Sequence, residues 1–266
     1  MIRQKSANTQ NMIVIKTERE LDLMRAAGKI AAKARDLAGK MVTVGATTKS
    51  IDKAVHAYLI SQGAVPTFLG YRNYPASICI SVNEEVIHGI PASRKLLQGD
   101  IVSIDIGATK NGYIGDCAAT FIAGIGDEES ERLVRVTREC FFEGLKHAKA
   151  GNRVSDISRA VEEHAKANGY TVVEAFTGHG VGRKLHEPPE VPNFIAKPRK
   201  GPDPRLLPGM TLALEPMVNA GGSEIIILDD EWTVVTADRK NSAHYENTIL
   251  ITEGEPEILT VSEAAP

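Results

Sequence analysis

Two aspartates lie inside segments that otherwise resemble buried β-strands. Asp105 ends the mostly apolar run 101–104, Asp116 precedes the mostly apolar run 117–122, and an Asn-Gly turn at 111–112 separates them. A carboxylate that is buried without a partner is energetically costly, so such groups are protonated, paired with a cation or bound to a metal. A single such aspartate is typical of a turn that bonds the backbone, whereas two in one hairpin favour a shared site.

The second half of the sequence repeats this feature with glutamates. At one constant offset the chain repeats a set of small and apolar residues, in which Gly45, Ile51, Ala54, Val55 and Gly63 match Gly151, Ile157, Ala160, Val161 and Gly169. Similar alignments match Asp105 with Glu215 and Asp116 with Glu246. Packing of the two halves about a pseudo-twofold axis would therefore bring four carboxylates to one centre.

Four converging carboxylates repel one another unless cations lie between them, and oxygen-rich sites with few nitrogen ligands suit hard or borderline divalent ions. Two ions fit such a set better than one. A pair of ions about 3.5–4 Å apart is a recurrent hydrolytic arrangement, which lowers the pKa of a water between them and polarises the attacked carbonyl.

Histidines could complete this set. The segment FTGHGVGRKLHEPPEVPNF contains His179 and His186, and its glycines would let the backbone pack closely against a site. A lone histidine in a loop is often structural, but we predict a metal or substrate contact for His179. His88 ends a strand-like segment, where side chains project into clefts. His244 lies two residues from Glu246, which predicts a place on the same strand face.

Hydrophobic periodicity indicates the elements that position these residues. Apolar residues at helical spacing predict four helices, at about residues 17–41, 49–60, 127–145 and 155–166. Strand-like segments lie between the two helix pairs and after the second one. The element order therefore repeats as well.

Composition excludes several classes of protein. The chain has 266 residues, 42% hydrophobic and 24% charged residues and a net charge of -3, with no basic excess that would suggest nucleic acid. No apolar stretch is long enough to span a membrane, and the polar start indicates no signal peptide. Three cysteines without CxxC spacing argue against disulfides and thiolate zinc sites. We expect a cytoplasmic protein with a flexible N-terminal extension at residues 1–11.

The motifs resemble those of type I methionine aminopeptidases, which are M24 metallopeptidases, across about residues 12–255. The resemblance rests on the two aspartates of the hairpin and on the segments GHGVG, LEPM and YENT, in the family's order and spacing. It implies an α+β pita-bread (creatinase/aminopeptidase) fold with two pseudo-symmetric halves around a central antiparallel sheet. We expect a single catalytic domain at 12–266, with repeats at about 17–125 and 127–255.

The resemblance also implies the roles of individual residues. The expected metal ligands are Asp105, Asp116, His179, Glu215 and Glu246. Two divalent ions, of Co, Mn, Fe, Zn or Ni, would activate a water for attack on the carbonyl that follows an N-terminal methionine. Glu215 would shuttle the proton, and His88 and His186 would contact the scissile amide and stabilise the oxyanion.

A pocket for the methionine side chain is implied in the same way. Its expected lining consists of Phe68, Tyr71, Tyr74, Cys79, Leu185 and Trp232. Aromatic and polarizable groups suit an unbranched thioether. Phe68 and Leu185 depart from the family pattern, which has Cys and Phe at these positions. The aromatic side chain therefore comes from position 68 in this chain, and from position 185 in the family pattern.

The implied substrates are nascent polypeptides that begin with methionine, and the enzyme would act as a monomer near the ribosome, with no nucleic-acid or membrane partner. X-Pro aminopeptidases and prolidases share the ligand pattern and form the main alternative. The spacing from Glu215 to Glu246 leaves no room for the insertion of type II methionine enzymes. A non-catalytic binding module of the same fold is a further alternative, which should have lost ligands.

Overall fold

The computed structural model describes residues 12–196 and 201–262, so the predicted extension at 1–11 lies outside the described residues. In this part of the chain there are four α-helices, namely α1 Glu18–Met41, α2 Thr48–Ser61, α3 Glu128–His147 and α4 Val154–Ala167. All four predicted helices are therefore present, with ends shifted by a residue or two. None of them is long and apolar enough to cross a lipid bilayer.

The described residues also form β-strands in both halves. The strands of the first half are β1 Val65–Pro66, β2 Cys79–Val82, β3 Glu85–Ile87, β4 Ile101–Lys110 and β5 Tyr113–Ile122. The strands of the second half are β6 Thr171–Val172, β7 Thr177–Gly180, β8 Glu187–Pro192, β9 Thr211–Leu214, β10 Met217–Asn219, β11 Ile225–Ile227, β12 Val234–Thr236, β13 Ser242–His244, β14 Glu246–Leu250 and β15 Glu257–Ile258.

One large antiparallel sheet spans both halves. Its strands follow the order β1-β4-β5-β14-β9-β7-β8, with β2 paired to β4 and β15 paired to β14. Two smaller sheets have the orders β13-β10-β6 and β11-β12-β3. The pairing of β5 with β14 joins the halves at the centre of the large sheet.

The helices cover the large sheet with two apolar layers. One cluster of buried residues joins α1 and α2 to β2 and β4, and another joins α3 and α4 to β9 and β14. Each helix presents an apolar stripe to its strands, as the periodicity of the sequence requires. The core of each half thus lies between its helix pair and its part of the sheet.

The two halves share unusual backbone geometry at corresponding glycines. Gly45 and Gly151, which precede α2 and α4, have φ of 87° and 90°, a left-handed conformation that favours glycine. The N–H of Gly45 donates to Leu96 O at 2.8 Å, and that of Gly151 donates to Leu206 O at 2.9 Å. The repeat in the sequence is therefore matched by equivalent local structure.

Helix α1 contacts the sheet backbone to backbone. A Cβ at Gly115 on β5 would lie 2.5 Å from the backbone of Gly28 on α1, and a Cβ at Gly28 would lie 2.3 Å from Leu259 O. Real Cβ atoms do not approach so closely, so this crossing requires glycine. It holds α1 against the strand that carries Asp116.

We expect Gly115→Ala to lower the free energy of unfolding by about 1–3 kcal/mol, because the added methyl group forces α1 away from β5. Gly222→Ala is the control, since a Cβ there meets nothing within 4 Å, and its effect should stay below about 0.5 kcal/mol. Urea unfolding of the chelated proteins measures both values. Equal stability of the two variants would contradict the close contact.

Candidate functional site

The strand register places three carboxylates on one face of the large sheet. Asp105 on β4 lies opposite Ala118 on β5, and Ala118 lies opposite Glu246 on β14. Directly opposed residues in a sheet share a face, as do residues two apart on one strand. Asp116, two residues before Ala118, therefore points to the same side as Asp105 and Glu246.

The second half adds an imidazole and a fourth carboxylate to this face. His179 on β7 pairs with Ala213 on β9, which pairs with Thr248 on β14, two residues after Glu246. Glu215 follows directly after the end of β9. Its Oε1 lies 3.4 Å from His179 Nε2. The site is thus built from four strands of one sheet.

Asp116 and Glu246 are buried, Asp105 and Glu215 are partly buried, and no lysine or arginine among the described residues forms an ion pair with any of the four. Burial raises the pKa of Asp105 to about 7, and it raises the pKa of Asp116, Glu215 and Glu246 well above the usual range, with further increases from mutual repulsion. Asp105 Oδ1, Asp116 Oδ1 and Glu215 Oε1 have no hydrogen-bond partner among the described residues. Acids in this setting stay protonated unless positive charge lies among them, and all four ionise together only when cations are bound.

His179 is oriented as a ligand. Its Nδ1 lies 2.9 Å from Gly180 O, and because a carbonyl only accepts, Nδ1 carries the proton. The Nε2 lone pair therefore faces the carboxylates, 3.8 Å from Asp116 Oδ2. Burial lowers the pKa of His179 to about 3, so the ring is neutral. A hydrogen bond that fixes the tautomer in this way is typical of metal-binding histidines.

The arrangement fits a divalent metal. Ligand atoms of Asp116, His179 and Glu246 all lie within 4.8 Å of one another. Asp105 and Glu215 line the same cavity, and each has one buried oxygen without a hydrogen-bond partner among the described residues. A donor set of four carboxylates and one neutral imidazole suits hard or borderline ions. The structure thus brings together all five residues that sequence analysis proposed as ligands.

A cavity of about 600 Å³ opens next to this centre. It is lined by every residue that sequence analysis assigned to the site, namely Phe68, Tyr71, Tyr74, Cys79, His88, Asp105, Asp116, His179, Leu185, His186, Glu215, Trp232 and Glu246. Burial also raises the pKa of the Cys79 thiol, which therefore stays neutral in this lining.

The cavity lining also contains residues that sequence analysis missed, which are Arg72, Ala175, Phe176, Thr177, Ile227, Glu231 and Val234. Most of them lie within a few residues of an identified site residue in the sequence. This proximity could have been used to predict that they line the cavity. Ile227 had no such signal, because its place depends on how the hairpin of β11 and β12 folds back over the site.

His88 and His186 lie at the outer side of the centre. His88 directly follows β3, with a left-handed φ of 61° that is strained for a non-glycine residue. Its ring packs edge-on against Phe176 at 5.7 Å and Trp232 at 6.0 Å between centroids. Burial lowers the pKa of His88 to about 4, with a smaller contribution from His186. His88 is therefore uncharged near neutral pH.

Tyr71 fixes the ring of His186. The tyrosine hydroxyl lies 2.7 Å from His186 Nδ1, and the centroids of the His186 and His179 rings are 4.3 Å apart. Burial lowers the pKa of His186, and the positive charge of Arg72 lowers it further. The neutral imidazole therefore stands between the tyrosine and the metal-binding face.

The predicted place of His244 was wrong. The strand breaks at Tyr245, so His244 ends β13 in a small sheet while Glu246 begins β14 in the large one. The side chain of His244 is buried, and its Nε2 has no hydrogen-bond partner among the described residues. Its pKa is lowered to about 3 by burial and by His88.

A buried ion pair supports the segment that carries His186. Lys16 Nζ lies 2.7 Å from Glu187 Oε2, and the two side chains are only 3% and 8% exposed. Glu187 Oε1 also accepts from the N–H of Lys184 at 3.1 Å. This pair ties the segment before α1 to the residue that follows His186.

The chain is similar to known metallopeptidases over most of its length. The family described as metallopeptidase family M24 matches residues 22–253. A methionine aminopeptidase of Clostridium perfringens is 51% identical over 250 residues, which cover 94% of this chain and 99% of that protein. The crystal structure of a methionine aminopeptidase from Thermotoga maritima has a TM-score of 0.90 at 43% identity, covering 94% of this chain and 100% of that one.

A more distant structure shares only the architecture. Prolidase from Pyrococcus furiosus has a TM-score of 0.77 at 23% identity, and the match covers 96% of this chain and 67% of the prolidase. Together with the Thermotoga structure it confirms the α+β pita-bread fold that was predicted from the sequence.

We expect Lys16→Met to lower the free energy of unfolding by about 3–5 kcal/mol, because it leaves Glu187 buried and unpaired. Lys16→Met combined with Glu187→Gln should cost less than the two single changes together. Lys149→Met provides the control, since the Lys149–Glu255 pair is 42% and 78% exposed and should contribute less than about 1 kcal/mol. A double-mutant cycle in urea that shows simple additivity would contradict the coupling.

Proposed function

The chain belongs to metallopeptidase family M24 and, within it, to the type I methionine aminopeptidases, and from this premise we propose how its cavity performs the reaction. The enzyme removes the initiator methionine from polypeptides and depends on a divalent metal. The observation that carries the proposal is the convergence of four carboxyl groups and one neutral imidazole in one cavity, with no lysine or arginine among the described residues paired to them.

The proposed ligands are Asp105, Asp116, His179, Glu215 and Glu246. Four ionised carboxylates carry a charge that two divalent ions would neutralise, and this balance supports a dinuclear centre. The donor set suits Mn²⁺, Fe²⁺, Co²⁺, Ni²⁺ or Zn²⁺. When bound, the metal supplies a Lewis acid and lowers the pKa of the water used for hydrolysis.

Glu215 is proposed to move the proton. It follows the end of β9, and its Oε1 is buried without a hydrogen-bond partner among the described residues, so it is free to accept a proton. Glu215 takes the proton of the attacking water and passes it to the amino group that leaves. The carboxyl group thus serves both as a ligand and as a general base.

His186 and His88 are proposed to hold the scissile amide. If the Tyr71 hydroxyl donates to His186 Nδ1, then Nε2 carries the ring proton and donates to the carbonyl oxygen, which gains negative charge during attack. His88, held by Phe176 and Trp232, contacts the amide nitrogen. Both rings act as neutral donors and acceptors.

The methionine side chain is proposed to bind among aromatic and apolar residues. Trp232 packs edge-on against Tyr74 with centroids 5.0 Å apart, and the Tyr74 hydroxyl donates to Gly89 O at 2.9 Å. Phe68 packs so closely on β4 that a Cβ at Gly107 would lie 2.7 Å from its ring. Sulfur–aromatic contacts of about 0.3–1.5 kcal/mol would favour a thioether there.

The cellular setting is proposed from the substrate. Polypeptides carry their initiator methionine when they leave the ribosome, so the enzyme would act in the cytoplasm and near that machinery. Cys79, Cys117 and Cys140 are all unpaired and buried, which suits a reducing compartment. All proposed ligands come from one chain, which is consistent with activity as a monomer.

Peptide cleavage tests this function. The protein is stripped with a chelator, reconstituted with each divalent metal and given Met-Ala-Ser and Ala-Pro-Ser. We expect metal-dependent release of methionine from the first peptide and no cleavage of the second. Cleavage of only the proline peptide would indicate an X-Pro peptidase, and no cleavage with any metal would indicate a binding module.

We expect Asp105→Asn to abolish most turnover and to remove the rise in Tm that Mn²⁺ produces, because a ligand charge is lost at constant volume. The chelated variant should melt no lower than the chelated wild type, since an unpaired buried carboxyl group is gone. Each kcal/mol corresponds to about 2–4 °C in a chain of this size.

Asp22→Asn is the control for this change, because the Asp22 side chain on α1 is 75% exposed. It should retain both turnover and the metal-dependent rise in Tm. Near-normal turnover of Asp105→Asn would contradict the assignment of Asp105 as a ligand.

A further inference from the structure

One wall of the catalytic cavity is a β-hairpin with a free edge. Ile227, Trp232 and Val234, which belong to β11, β12 and the turn between them, all line the cavity. β11 pairs with β12, and β12 pairs with β3, so among the described residues β11 is the edge of this sheet. The edge strand β11 therefore borders the site.

The register shows which backbone groups the edge exposes. Ala237 N donates to Glu224 O at 3.0 Å, and Leu228 N donates to Thr233 O at 2.9 Å, so even-numbered residues of β11 turn their backbone toward β12. The N–H and C=O groups of Ile225 and Ile227 then point outward. No described residue forms a backbone hydrogen bond with either of them.

The edge is also apolar and exposed. β11 consists of three consecutive isoleucines, and Ile226 and Ile227 are 45% and 53% exposed. Proteins usually protect a free edge with charges, proline or a covering loop, because it can pair with another chain. The charged residues Glu224 and Asp229 flank β11, but no described segment covers its edge, so this edge of β-branched residues at the cavity mouth is suited to binding an extended chain.

The hairpin is held rigidly before any ligand binds. Asp230 Oδ1 accepts from Trp232 N at 2.9 Å and from Thr233 N at 2.7 Å, which fixes the turn. At the other end, Asp238 Oδ2 accepts from Gly222 N at 2.9 Å. Binding to a preorganised edge costs less conformational entropy than binding to a mobile loop.

We propose that the substrate residues that follow the methionine bind as an extended strand along β11, paired to the outward groups of Ile225 and Ile227. This inference rests on the proposed function and extends it. The substrate is a polypeptide, so its chain must leave the cavity past the exposed residues of the lining, which are Arg72, Ala175, His186, Ile227 and Glu231. The free edge continues from this exit.

Strand addition explains how one site accepts many sequences. Pairing uses main-chain groups that every substrate residue except proline possesses, so affinity does not depend on a particular side chain. The apolar faces of Ile226 and Ile227 add contact area on both sides of the added strand. Longer substrates should therefore bind better than tripeptides that begin with the same residues.

The test uses the metal-loaded wild-type enzyme and the heptapeptide Met-Ala-Ser-Thr-Val-Thr-Lys, N-methylated in turn at residues three to six. In a paired strand, every second residue forms backbone hydrogen bonds with the neighbouring strand. N-methylation should therefore lower kcat/KM about fivefold at alternate positions and little at the others. A fivefold loss corresponds to about 1 kcal/mol, the net value of one hydrogen bond. The change should appear in KM, with kcat retained.

Two variants at one position separate the backbone from the side chain. Ile225→Pro removes an outward N–H without removing a bond to β12, whereas Ile225→Thr keeps the N–H and loses similar apolar contact. We expect only the proline variant to lose the advantage of the heptapeptide over Met-Ala-Ser. Both should still cleave the tripeptide, which reports on folding and metal binding.

A methylation scan that is flat or falls uniformly, while Met-Ala-Ser is cleaved, would overturn the strand pairing and leave the proposed function intact. Failure to cleave any methionine peptide would instead overturn the function on which the inference rests. The strand pairing would also be overturned if the wild-type protein sediments as a dimer and Ile225→Pro dissociates it, because the edge would then bind a second copy of the chain.

Discussion

Repulsion among four buried carboxyl groups is the constraint on which the structure depends. Burial raises the pKa of each of them, mutual repulsion raises it further for Asp116, Glu215 and Glu246, and several of their oxygens have no hydrogen-bond partner among the described residues. Such a cluster is costly unless cations occupy its centre. Metal binding offsets this cost when the carboxylates are ionised, so it should stabilise the fold as well as support the chemistry.

The architecture meets this constraint by symmetry and small residues. Pairing of β5 with β14 at the centre of the sheet places carboxylates from both halves on one face. Ala118 lies between Asp105 and Glu246, and Ala213 lies beside His179, so small side chains occupy the sheet positions next to these ligands. Around this centre, Tyr71 fixes His186, the buried Lys16–Glu187 pair holds its segment, and the rigid hairpin of β11 and β12 closes one wall. These surrounding contacts hold the side chains that adjoin the carboxylates in place.

Much of this arrangement was predictable from local sequence features. Apolar periodicity located α1 to α4, and the two aspartates within the strand-like segments of the β4–β5 hairpin indicated the site. The break at Tyr245 was not predictable, because it depends on the switch of the chain from a small sheet to the large one. The roles of Ile227 and of the Lys16–Glu187 pair also escaped prediction, since both arise from contacts between distant segments.

The most direct test of the account is the anomalous scattering of crystals soaked in Mn²⁺. The account predicts two peaks between the carboxylates of Asp105, Asp116, Glu215 and Glu246, with His179 Nε2 coordinating one of them. Two occupied positions would show that cations balance the buried charge. Carboxylates that remain without metal under saturating Mn²⁺, or peaks only at other residues, would contradict it.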